Sequence, residues 1–228
     1  MKFGMVLISN AYTPARAEII KQSFNSLTKT DVQGLERPRM TLMAAASGFD
    51  YKSYIELWSV KWDVEMEPDT AIGLNALVSA TAEKLIQHED VTHLIFMYDD
   101  FIYNPQWMRQ LENLIWRHPE AKAWSVYRSS YERHHKILST DESTGDVIMS
   151  MHDGLGCMTV EEWRAYGAYG RTDFTCPIEL GGGNTIDIYH AASRPGERWA
   201  TGRDYWENLG VHAYLGRRDM AVDFVGEQ

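Results

Sequence analysis

Cysteine is nearly absent: Cys157 and Cys176 are the two in 228 residues, too few for a disulfide framework and without the spacing or company of a zinc site. A reducing, cytoplasmic setting is expected. No stretch approaches the roughly 18 consecutive apolar residues of a membrane span. The opening run MKFGMVLIS is interrupted by Ser9 and Asn10 too early to supply a signal-peptide core, so neither an anchor nor secretion is expected. Basic charge is in deficit, with 22 Lys and Arg against 32 Asp and Glu and a net charge of −10. That charge repels a polyanion at long range and disfavours nucleic acid as a partner, although a local basic groove would survive the average. The sequence also lacks a phosphate-binding P-loop and a G-x-S-x-G nucleophile elbow. The glycine run at 181–183 has no Lys-Ser/Thr after it and reads as a flap that closes over a substrate.

A chain of this length buries roughly 70% of its unfolded surface and needs no staples. No internal repeat or linker divides it, so one domain is expected. Residues 3–9 (FGMVLIS) form a short apolar run closed by turn residues, the pattern of a buried parallel strand. Pro14 can open the helix that follows over 15–27, where Ile19, Ile20, Phe24 and Leu27 recur at helical spacing. A second strand is read at 40–46, a long helix at 71–88, a strand at 93–98, a helix at 106–118 stopped by Pro119, and a strand at 123–127. The Trp-rich, acidic stretch before Asp69 gives no clear assignment. This alternation specifies an α/β fold, a mostly parallel sheet with helices on both faces. Beyond residue 130 the texture changes to loops and a hairpin.

The chemistry concentrates in HLIFMYDDFIYNPQWM, residues 93–108. Two adjacent carboxylates, Asp99 and Asp100, follow a buried strand, where open α/β sheets bind ligands, and hard oxygen ligands suit Mg²⁺ or Mn²⁺ bridging phosphates. The alternative is a solvated acid pair at a strand end. The histidines His134, His135 and His152 do not make a transition-metal site by spacing, since adjacent histidines on a strand point to opposite faces.

Taken in order, LISNAYTPARAEIIKQSFNSL (7–27), Tyr98-Asp99-Asp100, MHDGLGCMTVEEWRAYG (151–167) and ATGRDYWENLGVHAYL (200–215) give the chain a resemblance to the GT-A-fold, family-2-like nucleotide-sugar glycosyltransferases. The opening LISNAYTPARAEIIKQSFNSL (7–27) resembles the family's strand, turn and helix, and Asn75 is placed like the family's Asn on the helix before the metal strand. Tyr98-Asp99-Asp100 stands at the D-x-D motif, with Tyr98 in place of its first acid and Pro105 at the family's usual separation from the last. MHDGLGCMTVEEWRAYG (151–167) is similar to the acceptor-side glycine turn and helix, and ATGRDYWENLGVHAYL (200–215) to the active-site helix, with Arg203 replacing the first acid of a Glu-Asp pair.

The resemblance implies a GT-A-like, metal-dependent, inverting enzyme in one domain, with a nucleotide-sugar-binding half over 1–130 and a smaller acceptor-side half over 131–228. It would move a hexosyl or pentosyl group from a nucleotide-diphosphate donor to a hydroxyl of a glycan, a protein, a small molecule or a modified nucleobase. In this reading Asp100, Asp99 and Asp223 hold Mn²⁺ or Mg²⁺, and Asp204 is the general base, its alternative being a helix-start residue paired with Arg203. Ser9, Asn10, Tyr12, Asp50, Asn75, Tyr98, Asp99 and Arg203 face the donor. Gly154, Gly156 and Trp163 face the acceptor, with a place in the core as the alternative for Trp163. The rival readings are a nucleotidyltransferase that makes the sugar nucleotide, which would want a glycine-rich basic loop that residues 9–18 lack, and a noncatalytic carbohydrate-binding protein.

Overall fold

In the computed structural model the described residues are 1–11, 13–44, 48–68, 74–119, 123–125, 137–140, 143, 147–149, 156–166, 213–215 and 223–224. β1 (Phe3–Ser9) buries both of its faces, as the continuous apolar run requires. α1 (Pro14–Leu27) begins where Thr13 stays extended and its hydroxyl accepts from the Arg16 amide at 3.1 Å, with Pro14 in the first turn where its missing N–H costs nothing. Ile20, Ser23, Phe24 and Leu27 make its buried face.

β2 (Arg39–Ala44) lies parallel to β1. The unassigned acidic stretch then resolves into α2 (Tyr51–Trp58), capped by Asp50, and β3 (Asp63–Pro68), parallel to β2 at the sheet edge. Along β3 Glu65 and Glu67 alternate with Val64 and Met66 and pair with Lys84, while Met66 stays exposed, and charge on an edge strand discourages pairing with another chain. α3 (Leu74–Leu85) leads to β4 (His93–Tyr98), the short β5 (Phe101–Ile102), α4 (Trp107–Arg117) and β6 (Ala123–Ser125). The expected hairpin past residue 130 is present as β7 (Ile137–Thr140) paired antiparallel with β8 (Val147–Met149). β9 (Gly156–Thr159), α5 (Val160–Tyr166), β10 (Ala213–Leu215) and β11 (Asp223–Phe224) complete the described elements.

The main sheet runs β3-β2-β1-β4-β9-β6-β10-β8-β7, parallel from β3 to β4 and mixed beyond. Alternate residues of the central strands serve opposite layers. Phe3, Met5, Leu7, Ile95 and Met97 join Phe24, Trp58, Trp62, Trp107 and Leu111 in one core. On the other face Gly4 lies under α3, where a Cβ would come within 2.8 Å of Val91 Cγ1 and 3.5 Å of Leu85 Cβ. The contact that needs glycine is the one with Val91, which follows α3; Leu85 of the helix would stand at ordinary contact distance.

Chain order reverses between β1 and β4: β2 and β3 extend the sheet from one side of β1, and the chain then returns to its other side. Strand ends diverge at such a switch point, and the crevice beyond them is where open α/β sheets bind ligands. A smaller antiparallel ribbon of β5 and β11 stands just past this edge, with Asp223 opposite Ile102 and Phe224 opposite Phe101.

Candidate functional site

Register brings the first residues of the site together. Ile8 pairs with Tyr98 across β1 and β4, so one step further on Ser9 meets Asp99. The Ser9 hydroxyl donates to Asp99 Oδ2 at 2.7 Å and the Asn10 amide donates to the same oxygen at 3.3 Å. Tyr51, opening α2, puts its hydroxyl 3.3 Å from Ser9 Oγ. From the first turn of α1, Arg16 spans both acids: one guanidinium nitrogen pairs with Asp99 Oδ1 and the other donates to Asp100 Oδ2 at 3.1 Å.

The acid tip is also held from below. The Tyr103 hydroxyl donates to the Tyr98 carbonyl at 2.6 Å and accepts from the Tyr98 amide at 3.2 Å, and the Tyr103 amide donates to Ser26 Oγ at 2.9 Å. Tyr103 is buried in the core, so it ties the end of β4 to α1. Tyr98, at the position of the missing first acid, stacks edge-on against Phe101 at 5.1 Å.

Asp99 is almost wholly enclosed, with 5% of its side chain exposed, and Asp100 has 19% exposed. Burial pushes the Asp99 carboxyl up to about 6 against the opposing pull of Arg16, and burial raises Asp100 as well. Two carboxylates therefore share one guanidinium among the described residues, and the charge left over is poorly solvated. Hard oxygen donors with surplus negative charge fit a divalent cation of the Mg²⁺ or Mn²⁺ type. Among the described residues no three His, Cys, Asp or Glu side chains stand close enough to hold an ion. Asp223 begins β11, one strand away from the tip, where the pairing with Ile102 sets its backbone two residues past Asp100.

Beside this tip, between α1 and α2, opens a cavity of about 640 Å³. Ala11, Thr13, Pro14 and Lys21 line one side and Gly48, Phe49, Asp50 and Tyr54 the other. Phe49 and Tyr54 stack face to face at 5.9 Å. Asp50 lies on this wall, but its carboxylate already caps α2 by accepting from the Ser53 amide at 3.2 Å and the Ser53 hydroxyl at 2.6 Å.

The expected donor-side residues Ser9, Asn10, Tyr98 and Asp99 thus converge with Asp100 at one edge, and Asp50 lies across the neighbouring cavity. Asn75 falls in the first turn of α3. Tyr12, Gly154, Arg203 and Asp204 lie outside the described residues. Two acceptor-side expectations need correction. Trp163 is 2% exposed, with its ring 5.2 Å from Phe96 and its indole N–H donating to Glu83 at 2.9 Å. It fills the core between α5 and the sheet and offers no face to a sugar. Gly156 is buried inside β9, paired with Ser125 of β6, and is a sheet residue instead of part of a turn open to substrate.

Arg16, Tyr51 and Tyr103 were not anticipated. Nothing local in the sequence marks Arg16 as a partner of acids more than eighty positions away. The one available signal is a basic residue in a helix's first turn, the end that favours negative charge.

No protein-family model and no curated protein sequence matches the chain. Solved structures do. S. aureus TarS superposes over 97% of this chain and 36% of its own with a TM-score of 0.63 at 11% identity. TarS in complex with UDP, over residues 1–349, superposes over 94% and 60% with a TM-score of 0.54 at 11% identity. The mannosyltransferase PcManGT from Pyrobaculum calidifontis, in complex with GDP-Man and Mn²⁺, superposes over 99% and 57% with a TM-score of 0.58 at 13% identity. The present chain spans less than two thirds of each of these neighbours. Identity this low speaks to architecture, and the conclusion is architectural: the chain has the GT-A-like α/β fold that these glycosyltransferases share.

Proposed function

We propose that this chain is a metal-dependent glycosyltransferase that moves a sugar from a nucleotide-diphosphate donor to a hydroxyl acceptor with inversion at the anomeric carbon. The observation that carries this reading is the Asp99-Asp100 pair, with Asp99 buried, sharing one guanidinium among the described residues and set at the β1/β4 switch point of a fold shared with glycosyltransferases. Neighbours of the same fold are seen with UDP or with GDP-Man and Mn²⁺, which favours the same kinds of ligand here.

Asp100 and Asp99, joined by Asp223 from β11, would hold the cation. When bound it would offset the charge that builds on the leaving diphosphate. The switch-point crevice and the first turn, with Ser9, Asn10 and Tyr12, would receive the donor, helped by Asn75, and the cavity beside α2, with Asp50 on its wall, would take its nucleoside. Arg203 would neutralise phosphate. Asp204 would take the proton from the acceptor hydroxyl as that oxygen bonds to the anomeric carbon and the bond from that carbon to the diphosphate oxygen breaks. Residues 1–130 would serve the donor and 131–228 the acceptor, with Gly154 on the acceptor side. Among the described residues no helix is long and apolar enough to cross a membrane.

The test is a thermal-shift panel of nucleoside diphosphates and their sugars with and without Mn²⁺, followed by donor hydrolysis. A ligand that binds the native state raises the melting temperature by mass action. At least one nucleotide should do so only with Mn²⁺, and Asp100→Ala should abolish both shift and hydrolysis. Absence of any shift across the panel, or a shift indifferent to Asp100→Ala, contradicts the reading. Asp204→Asn should keep donor binding and lose transfer.

A further inference from the structure

We infer that Arg16 is the internal counter-ion of the Asp99-Asp100 pair and the residue a divalent cation must displace, so that the site exchanges a guanidinium for a metal. The inference rests on the metal-dependent reading above and adds to it the residue that sets how tightly the site accepts its ion.

Three observations carry it. First, the contacts are those a metal would need: Arg16 engages Asp99 Oδ1 and Asp100 Oδ2 at once, while Ser9 and the Asn10 amide hold the other Asp99 oxygen. On Asp99, therefore, the oxygen left to face a cation is the one the guanidinium covers. A planar fork that takes one oxygen from each of two acids is a good occupant of such a pair.

Second, the placement is locally unfavourable. The first turn of α1 carries no acid, and Arg16 adds a positive charge to the positive end of the helix dipole, against the usual preference. A side chain that breaks a local rule points to a gain elsewhere, and here the gain is neutralising acids that the fold buries.

Third, Arg16 has somewhere to go. Its side chain is 27% exposed against 19% for Asp100 and 5% for Asp99, so Arg16 is the most exposed of the three and can swing toward solvent, whereas Asp99 cannot. A donor diphosphate reaching the start of α1 supplies phosphate oxygens for the displaced guanidinium. Acids would then pass from arginine to metal as arginine passes from acids to phosphate, with no unpaired charge at either step. This makes Arg16 a positioning residue that couples metal binding to donor binding.

The experiment is a calorimetric titration of Mn²⁺ alone into the wild type, Arg16→Lys, Arg16→Gln and Asp100→Asn, with near-UV circular dichroism to confirm folding. Removing a charge-assisted bridge from the competing state should tighten Mn²⁺ binding about tenfold or more in Arg16→Gln. Arg16→Lys keeps the charge but cannot span both acids, so it should fall between wild type and Arg16→Gln. It also answers the question if Arg16→Gln does not fold, since a tighter Arg16→Lys supports displacement. Equal or weaker binding in both variants, with measurable binding by the wild type that Asp100→Asn abolishes, overturns the role of Arg16 and leaves the metal reading standing. No binding by wild type or either Arg16 variant overturns both.

Discussion

Ser9→Ala probes whether Asp99 is held in place as an ionised acid. The Ser9 hydroxyl lies 2.7 Å from Asp99 Oδ2, and that carboxylate has 5% of its side chain exposed, so water cannot replace the lost donor. A hydrogen bond to a charged group contributes about 1.5–3 kcal/mol. The Asn10 amide remains on the same oxygen at 3.3 Å and should keep the loss near the lower end, about 1.5–2 kcal/mol. Stability change alone would not identify the partner, so the assay is a double-mutant cycle of Ser9→Ala and Asp99→Asn by urea unfolding at pH 8, above the Asp99 value of about 6. A coupling of about 1.5 kcal/mol is expected. Ser9→Thr, which keeps the hydroxyl, should lose little of the coupling. A coupling below about 0.5 kcal/mol, within the range of independent sites, would refute the picture of an acid clamped by β1.

Other outcomes follow from the same packing. Trp163→Ala should cost about 3–5 kcal/mol in urea unfolding because it empties a core site, and a stable variant defective only in acceptor KM would return Trp163 to the sugar. Gly4→Ala should destabilise by about 1–3 kcal/mol, since the new methyl meets Val91 Cγ1 at 2.8 Å; an unchanged midpoint would mean that the Val91 side chain gives way freely. His93 packs against Phe3 and Trp124, and burial lowers its ring from 6.5 to about 4. A lowered folded-state value means that its contribution is complete above the unfolded value and is lost as pH falls from 6.5 toward about 4. At about 1.4 kcal/mol per pH unit this amounts to at most ~3 kcal/mol. Wild type should therefore lose up to that much more than His93→Gln between pH 7 and pH 4, and equal losses would contradict it.

Much of the N-terminal half was legible because its signals are local. Pro14 and the Ile20, Phe24, Leu27 periodicity define α1, and the uninterrupted apolar runs define β1 and β4 with the acids at its end. The stretch that resisted reading, α2 and β3, did so for physical reasons. α2 is only eight residues long and its buried positions are the aromatics Tyr51 and Trp58, which serve strands equally well. β3 is a sheet edge whose Glu65 and Glu67 pair with Lys84 of α3, and a charged edge strand resembles a loop. Arg16, Tyr51 and Tyr103 escaped notice because their roles exist only through register and through contacts between distant segments. Trp163 shows the converse error: a flat aromatic in a motif suggests a sugar platform, while its burial depends on how α5 lies against β4 and β9.

The central claim is that the acids at the end of β4 grip a divalent cation on a nucleotide diphosphate. Crystals grown with Mn²⁺ and the stabilising nucleotide, measured for manganese anomalous scattering, test it most directly. The account predicts a peak in ligand contact with the Asp100 carboxylate and the diphosphate, with Arg16 moved off both acids. Nucleotide bound with no manganese at the acids, and Arg16 still bridging Asp99 and Asp100, would contradict it.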